Sequence, residues 1–190
     1  RRRHTRYWRD WSSDVCSSAC LNYLMYRKTW ISTVYQLEKR FVYGRYAPIF
    51  AKPATLRKRF IGCAFETEYD LYKIHGVSRQ EKLLCSEVVS CVSEYRVYVV
   101  NSEIRSVDFY NGDNSIFIDV KQVQQAIKAL DDAGESYAGY AIDFGVLDSG
   151  ETALVEMNDG FAVGAYSIDR KNYTDLILAR WEELLSSCKK

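Results

Sequence analysis

Of 190 residues only two are proline and ten are glycine, so the chain has little room for long irregular linkers. His4 and His75 are the only histidines, which leaves hydrolase mechanisms built on a histidine base with little support. No apolar run approaches the roughly 20 residues of a membrane helix, and no charged start followed by an apolar stretch marks a secretory signal. A soluble, cytoplasmic protein with no membrane partner is therefore expected. The six cysteines include no Cys-x-x-Cys pair and fit neither a zinc site nor a disulfide framework. Reduced thiols are expected, with Cys85 and Cys91 read as small buried hydrophobes. Net charge is also scarce: 26 basic residues stand against 25 acidic ones, a balance that argues neither for nor against a polyanionic partner. What is abundant is core material. At 47% hydrophobic and 14% aromatic the chain excludes intrinsic disorder and can build one sizeable domain or two small lobes.

The charge is unevenly spread. Residues 1–18, RRRHTRYWRDWSSDVCSS, hold five arginines and two aspartates. As protein this would be a basic, aromatic arm of the kind that binds nucleic acid, or a disordered terminus. As translated DNA, Asp10 to Ser18 is what GAC TGG AGT TCA GAC GTG TGC TCT TCC encodes. Arg1 to Arg6 is likewise encoded by AGA AGA CGG CAT ACG AGA. Both strings look like parts of a short-read sequencing adapter in their usual order, and the match stops where Ala19 and Cys20 follow. Residues 1–18 are accordingly expected to be non-native, carried in from a metagenomic assembly, and the native chain to be truncated near Ala19. Without them 21 basic and 23 acidic residues remain, a net charge of −2, and the case for a nucleic-acid partner falls away.

From Leu21 to Tyr43, apolar residues recur at spacings of three and four (Leu21, Leu24, Met25, then Val34, Leu37, Phe41), which predicts one or two amphipathic helices with a soft break near Ser32. Residues 19–47 thus read as a helical lead-in, and 48–187 as the main domain. Pro48 to Lys52 predicts a strand, ended by Pro53 and followed by the basic loop ATLRKRFIG. A short helix is expected over Thr67 to Ile74, then strands over Lys82 to Val89, Ser93 to Val100 and Glu103 to Tyr110, with a tight turn at Asn101-Ser102. Asp119 caps a helix that ends at Gly134. Two strands flank Asp148-Ser149-Gly150, and Tyr173 to Ser187 carries a helical stripe of Leu176, Ile177, Trp181, Leu184 and Leu185. This order gives an α+β fold dominated by antiparallel sheet.

Four constellations carry chemistry. Glu156 and Asn158 lie two apart on a strand, hence on one face, with Asp143 on the partner strand roughly opposite; hard oxygen donors so arranged suit Mg²⁺, or simply form the solvent face of a hairpin. Lys52 at a strand end, with Lys58, Arg59 and Gly62 in the loop beyond, reads as a phosphate cradle or as a solvated basic loop. Glu94 and Arg96 place an acid and a guanidinium on one face of a central strand, which is equally what a cross-strand salt bridge requires. Ser86 and Glu87 close the preceding strand, where they could hydrogen-bond a purine or a ribose.

Taken in order, FAKP, KRFIG, CSEVVS, EYRVYV, YAIDFGVL, LVEMNDGFAVGAY and the terminal ARW resemble the ATP-grasp superfamily, specifically the small ligase-like domains of phage and bacterial genomes. The resemblance runs from Pro48 to Trp181. It implies two α+β lobes with mainly antiparallel sheets gripping ATP, usually after an N-terminal domain. It implies ATP phosphate contacts from Lys52 and Lys58, and nucleotide contacts from Ser86, Glu87 and Glu94. Asp143, Glu156 and Asn158 would be the Mg²⁺ ligands, with Arg96 and Lys58 acting at the transferred phosphoryl group. The implied function is an ATP- and Mg²⁺-dependent ligase joining a small-molecule or peptide carboxylate to an amine or thiol through an acyl phosphate. The alternative is a non-catalytic nucleotide-binding or interaction module on the same fold. Retention of Asp143, Glu156 and Asn158 favours the enzyme.

Overall fold

The computed structural model describes residues 19–44, 47–54 and 59–187. Residues 1–18 and Lys58 therefore lie outside the described residues. The chain divides into two compact units, one of Arg27–Ser90 and the other combining residues 19–26 and 91–187.

The first unit is a four-stranded antiparallel sheet with a helix on one face. Its strands are β1 (Thr29–Thr33), β2 (Ile49–Pro53), β3 (Cys63–Phe65) and β4 (Lys82–Glu87), in the order β1-β4-β2-β3. The segment expected as a helical lead-in is thus mixed. The break falls at Ser32–Thr33 as read, but the residues before it, Thr-Trp-Ile-Ser-Thr, are β-branched and aromatic and pair with β4 as a strand. Helix α1 (Val34–Val42) begins at a capping box: Thr33 Oγ1 accepts from Gln36 N at 3.2 Å, and Gln36 Oε1 accepts from Thr33 N at 3.0 Å. Val34, Leu37 and Phe41, at helical spacing, are buried against Ile49, Ala51, Leu83 and Cys85, the residues that alternate onto one face of the sheet, and against Phe65. The expected short helix appears as a 3₁₀ helix over Glu68–Ile74. Cys85 is buried in this core, where desolvation pushes its thiol up to about 12.

The second unit holds the sheet β6-β5-β7-β8, antiparallel throughout, built from β5 (Cys91–Val100), β6 (Glu103–Gly112), β7 (Gly139–Leu147) and β8 (Thr152–Asp159). Asn101 and Ser102 both take positive φ, 48° and 66°, as a two-residue hairpin turn demands. Helix α2 (Val120–Ala133) is capped by Asp119, whose carboxylate accepts from Lys121 N at 2.8 Å, and ends at Gly134 with φ 67°. Residues Ala19–Leu24, expected as α-helix, form a 3₁₀ helix against α2, with Leu21 and Leu24 buried. Cys91, expected to be buried, is only partly so; its sulfur lies against the backbone of Gly145.

Helix α3 (Arg170–Ser187) departs from the expected stripe. Leu176 is fully buried, but Trp181 and Leu185 are about half exposed. The cause is a backbone contact: a Cβ placed on Gly139 would stand 2.2 Å from the Leu176 carbonyl oxygen, so the helix meets the sheet main chain to main chain at one point. Further along the helix Trp181 turns to Phe161, ring centroids 6.5 Å apart. No helix among the described residues is long and apolar enough to cross a membrane.

Candidate functional site

In the first unit, register fixes which sequence candidates share a face. Lys52 lies opposite Leu84 and Phe50 opposite Ser86, so Phe50, Lys52, Leu84 and Ser86 all project from the face of the sheet away from α1. Lys52 and Ser86 are both buried. Gly62 comes close over this face: a Cβ there would meet the Phe50 ring at 2.9 Å and Lys52 Cβ at 3.1 Å, so the loop backbone can reach Lys52 only because residue 62 is glycine. Glu87 alternates to the other face. It is exposed, and its carboxylate accepts from Lys28 N at 3.0 Å while its own N–H donates to Lys28 O at 3.1 Å, which ties the end of β4 to the start of β1. The structure therefore brings Lys52 and Ser86 together and separates Glu87 from them.

In the second unit a single rung crosses the whole sheet: Asp108 on β6, Arg96 on β5, Asp143 on β7 and Glu156 on β8. A bulge after Asp143 makes Phe144 pair with Leu154 and leaves Val155 as the extra residue of β8, which keeps Glu156 on the Asp143 face. Arg96 forks Asp143, with Nε 2.8 Å from Oδ1 and Nη2 2.7 Å from Oδ2, and its Nη2 lies 3.5 Å from Glu156 Oε1. Asn158 Nδ2 donates to the same Glu156 oxygen at 2.9 Å. Glu94, two residues before Arg96, accepts from Asn111 Nδ2 at 2.7 Å. Arg96 thus forms a cross-strand ion pair with Asp143 that takes up both carboxylate oxygens.

Four participants were not singled out in the sequence. Tyr166 lies over the Arg96 guanidinium at 4.9 Å and stacks on Tyr110, centroids 5.0 Å apart and planes 12° from parallel. Asp108 takes the backbone N–H groups of Ser167 and Ile168, and Asn111 holds Glu94. Asp108 and Tyr110 belong to the period-two pattern of β6 and were readable as facing Arg96. Tyr166 sits in a loop, and no periodicity places it.

Burial dominates the electrostatics. The side chains of Arg96, Asp143 and Glu156 are 11%, 2% and 7% exposed. Desolvation pushes both carboxyls up, and the charge of Asp143 raises Glu156 further, whereas Arg96 works to keep Asp143 ionised. Glu156 is thereby held well above the usual carboxylate range. With both ionised, Glu156 Oε2 is a buried acceptor with no donor. Burial opposes the charge on Arg96 too, and the hydrogen bond and charge of Asp143, with Tyr166 and Glu156, together more than offset it. Glu94 is raised by burial against the hydrogen bonds of Asn111 and Tyr110.

Among the described residues no group of three or more His, Cys, Asp or Glu side chains is placed to hold a metal ion. A hard cation has a narrower opening, the oxygen set of Glu156, Asn158 and Asp143. The orphaned Glu156 Oε2 is the feature a divalent ion would satisfy, so the residues present fit Mg²⁺ with one qualification: both Asp143 oxygens are engaged by Arg96.

Two four-stranded antiparallel sheets with helices packed on them agree with the α+β architecture that the sequence resemblance implies. The chain belongs to the ATP-grasp domain, R2K clade family 2, whose sequence model matches residues 24–176. That match begins in the segment before Pro48, where β1 and α1 prove to be part of the first sheet and its core. Among solved structures the chain resembles the ATP-grasp ligase PsnB complexed with a minimal precursor, at TM-score 0.57 and 16% identity, over 89% of this chain and 60% of that one. It resembles the D-alanine-D-alanine ligase from Coxiella burnetii at TM-score 0.58 and 15% identity, over 93% and 59%. It also resembles macrocyclase MdnC bound with precursor peptide MdnA from Microcystis aeruginosa MRC at TM-score 0.57 and 16% identity, over 87% and 59%. These likenesses show the fold, and the chain spans about three-fifths of the length of each. None of the curated proteins compared with the chain matches it.

Proposed function

We propose that the chain is the ATP-binding part of an ATP- and Mg²⁺-dependent ligase that joins a carboxylate to an amine or thiol. The observation that carries this reading is the Asp143–Glu156 rung with Asn158, an oxygen set on adjacent strands with one buried acceptor left unpartnered, in a chain that belongs to an ATP-grasp family. Lys52 would neutralise phosphate charge and Ser86 would hydrogen-bond the nucleotide. Glu94 and Glu87 are the weaker members of the nucleotide set, because Asn111 and Lys28 already occupy them. Lys58 would act from the basic loop. Glu156, Asn158 and Asp143 would hold Mg²⁺, which when bound neutralises charge on the phosphates.

In the first step a carboxylate oxygen of the substrate attacks the γ-phosphorus, the bond to the bridging oxygen breaks, and ADP leaves with its electron pair. In the second, an amine attacks the acyl carbon, phosphate departs, and the amine loses one proton to give the amide. Arg96 is placed to steady the anionic phosphoryl group only if it loosens its fork on Asp143. Substrates of this type are small-molecule or peptide carboxylates and amines, and the work is that of a soluble, cytoplasmic protein. Support for a peptide comes from two of the structural relatives, each described with a precursor.

The test is thermal unfolding with and without Mg-ATP. The nucleotide should raise Tm by several degrees, as expected for about 2 to 3 kcal/mol of linkage at saturating ligand. K52A and E156A, if folded by circular dichroism, should remove the shift. An unshifted Tm for the unsubstituted chain defeats the reading.

A further inference from the structure

We infer that Arg96 holds the place of a divalent cation at the β7–β8 carboxylates, so that the nucleotide-free chain binds a metal ion poorly and the ion enters together with phosphates. The inference rests on the proposed function of the same site and concerns the order in which its ligands arrive.

The geometry is that of an internal counter-ion. Both oxygens of Asp143 are taken by one guanidinium, and the same Nη2 stands 3.5 Å from Glu156 Oε1. Arg96 cannot swing away freely. Tyr166 closes one face of its guanidinium and is itself backed by Tyr110, while Nη1 reaches the Gly164 carbonyl at 3.5 Å. The loop that carries Gly164 and Tyr166 is fastened to β6 through Asp108 and to β5 through the Tyr98 hydroxyl, which donates to Gly164 O and accepts from Tyr166 N. Asp108 is the fourth charge of the rung, and its carboxylate is committed to the amides of Ser167 and Ile168.

With both carboxylates ionised the trio of Arg96, Asp143 and Glu156 carries one net negative charge, against two for the carboxylates alone. A divalent cation arriving by itself would meet a buried positive charge within reach of both of its acidic ligands, where the low local dielectric magnifies repulsion. The unpartnered Glu156 Oε2 shows that the guanidinium does not finish the work of a metal ion: one buried acceptor still waits for a cation or a proton. Phosphates change the balance, because their anionic oxygens can satisfy the guanidinium and the ion together and leave Asp143 a free oxygen to offer.

The experiment titrates Mn²⁺, a hard cation with similar oxygen preference, into the nucleotide-free chain and follows the free ion by electron paramagnetic resonance. The parent should bind Mn²⁺ weakly. R96Q should bind it about tenfold more tightly or better, and R96Q/E156Q should lose the gain. Equal affinity in the parent and folded R96Q overturns the inference, as does a gain that survives E156Q. If R96Q fails to fold, R96M decides: it keeps the length and bulk of the side chain without its charge and should gain about tenfold, as R96Q does. No gain in a folded R96M then overturns the inference. The titration contains no nucleotide, so its failure is distinguishable from failure of the ATP reading, which the Mg-ATP unfolding experiment reports separately.

Discussion

Asp108 and Arg96 stand opposite each other on β6 and β5, yet they send their charges to different partners. Arg96 turns along the rung to Asp143, whereas Asp108 Oδ2 accepts from Ser167 N at 2.7 Å and Ile168 N at 2.6 Å, and Oδ1 accepts from the Ser106 hydroxyl. A strand in the middle of the chain thereby fastens the loop that follows the last strand. The same loop brings Tyr166 onto Arg96, so Asp108 sets the position of the guanidinium through the loop rather than by contact.

D108A should therefore be costly. It removes three charge-assisted hydrogen bonds and strands two backbone amides, one of them at a buried residue, for an expected loss of about 3 kcal/mol in urea unfolding. D108N keeps one acceptor and should lose less. Hydrogen exchange at Ser167 and Ile168 should rise in both variants. A D108A chain with parental stability and unchanged exchange would mean that Tyr98, Arg96 and Tyr173 hold the loop without Asp108.

Most of the sheet architecture was legible because it is written in short-range signals. The Asn101-Ser102 and Asp148-Ser149-Gly150 turns fixed two hairpins and put Asp143 roughly opposite residues 156 to 158, but the pairing with Glu156 itself needs the bulge at Val155, which no turn signal announces. The first unit was harder to read. Thr29–Thr33 is five residues with no alternation long enough to outweigh the helical spacing of the leucines before it and of Val34, Leu37 and Phe41 after it, and only pairing with β4, fifty residues away, makes it a strand. The site divided along the same line. Same-face pairs such as Glu156 and Asn158 follow from strand periodicity, whereas the Arg96 fork depends on a register between β5 and β7 that no local signal specifies.

Gly139 offers a separate test of how the closing helix docks. Leu176 O sits where its Cβ would be, and the Gly160 N–H donates to Gly139 O at 3.1 Å, so neither backbone can retreat without breaking a contact. G139A should cost about 1 to 3 kcal/mol by overpacking and should shift α3 off the sheet. The emission of Trp181, which rides on α3 against Phe161, should change with it. A G139A chain with unaltered stability and emission would show that α3 is held by Arg180, which forks Asp159 at 2.7 and 2.6 Å, and not by the backbone contact.

Asp70 gives the first unit a stability that depends on acid. Its Oδ2 accepts from Glu66 N at 2.8 Å and Thr67 N at 3.0 Å, and its Oδ1 pairs with Lys73 Nζ at 2.6 Å, which also donates to Ala64 O at 3.0 Å. Burial alone would push the carboxyl up, but Lys73 and the two amides outweigh it and hold the group below the usual carboxylate range. A depressed folded value means that the ionised form favours folding. The contribution is complete above the unfolded value of about 3.9 and is lost as pH falls through the folded value. Glu94, raised by burial, works in the opposite sense, since its protonation favours the folded chain and its contribution fades as pH rises. The two are separated by comparing the parent with D70N in urea from pH 7 to pH 2. D70N should be less stable at pH 7, and the difference should shrink as the acid limit is approached, because protonated Asp70 no longer holds Lys73. A difference that stays constant across that range would mean that Asp70 acts through shape and neutral hydrogen bonding, not through its charge.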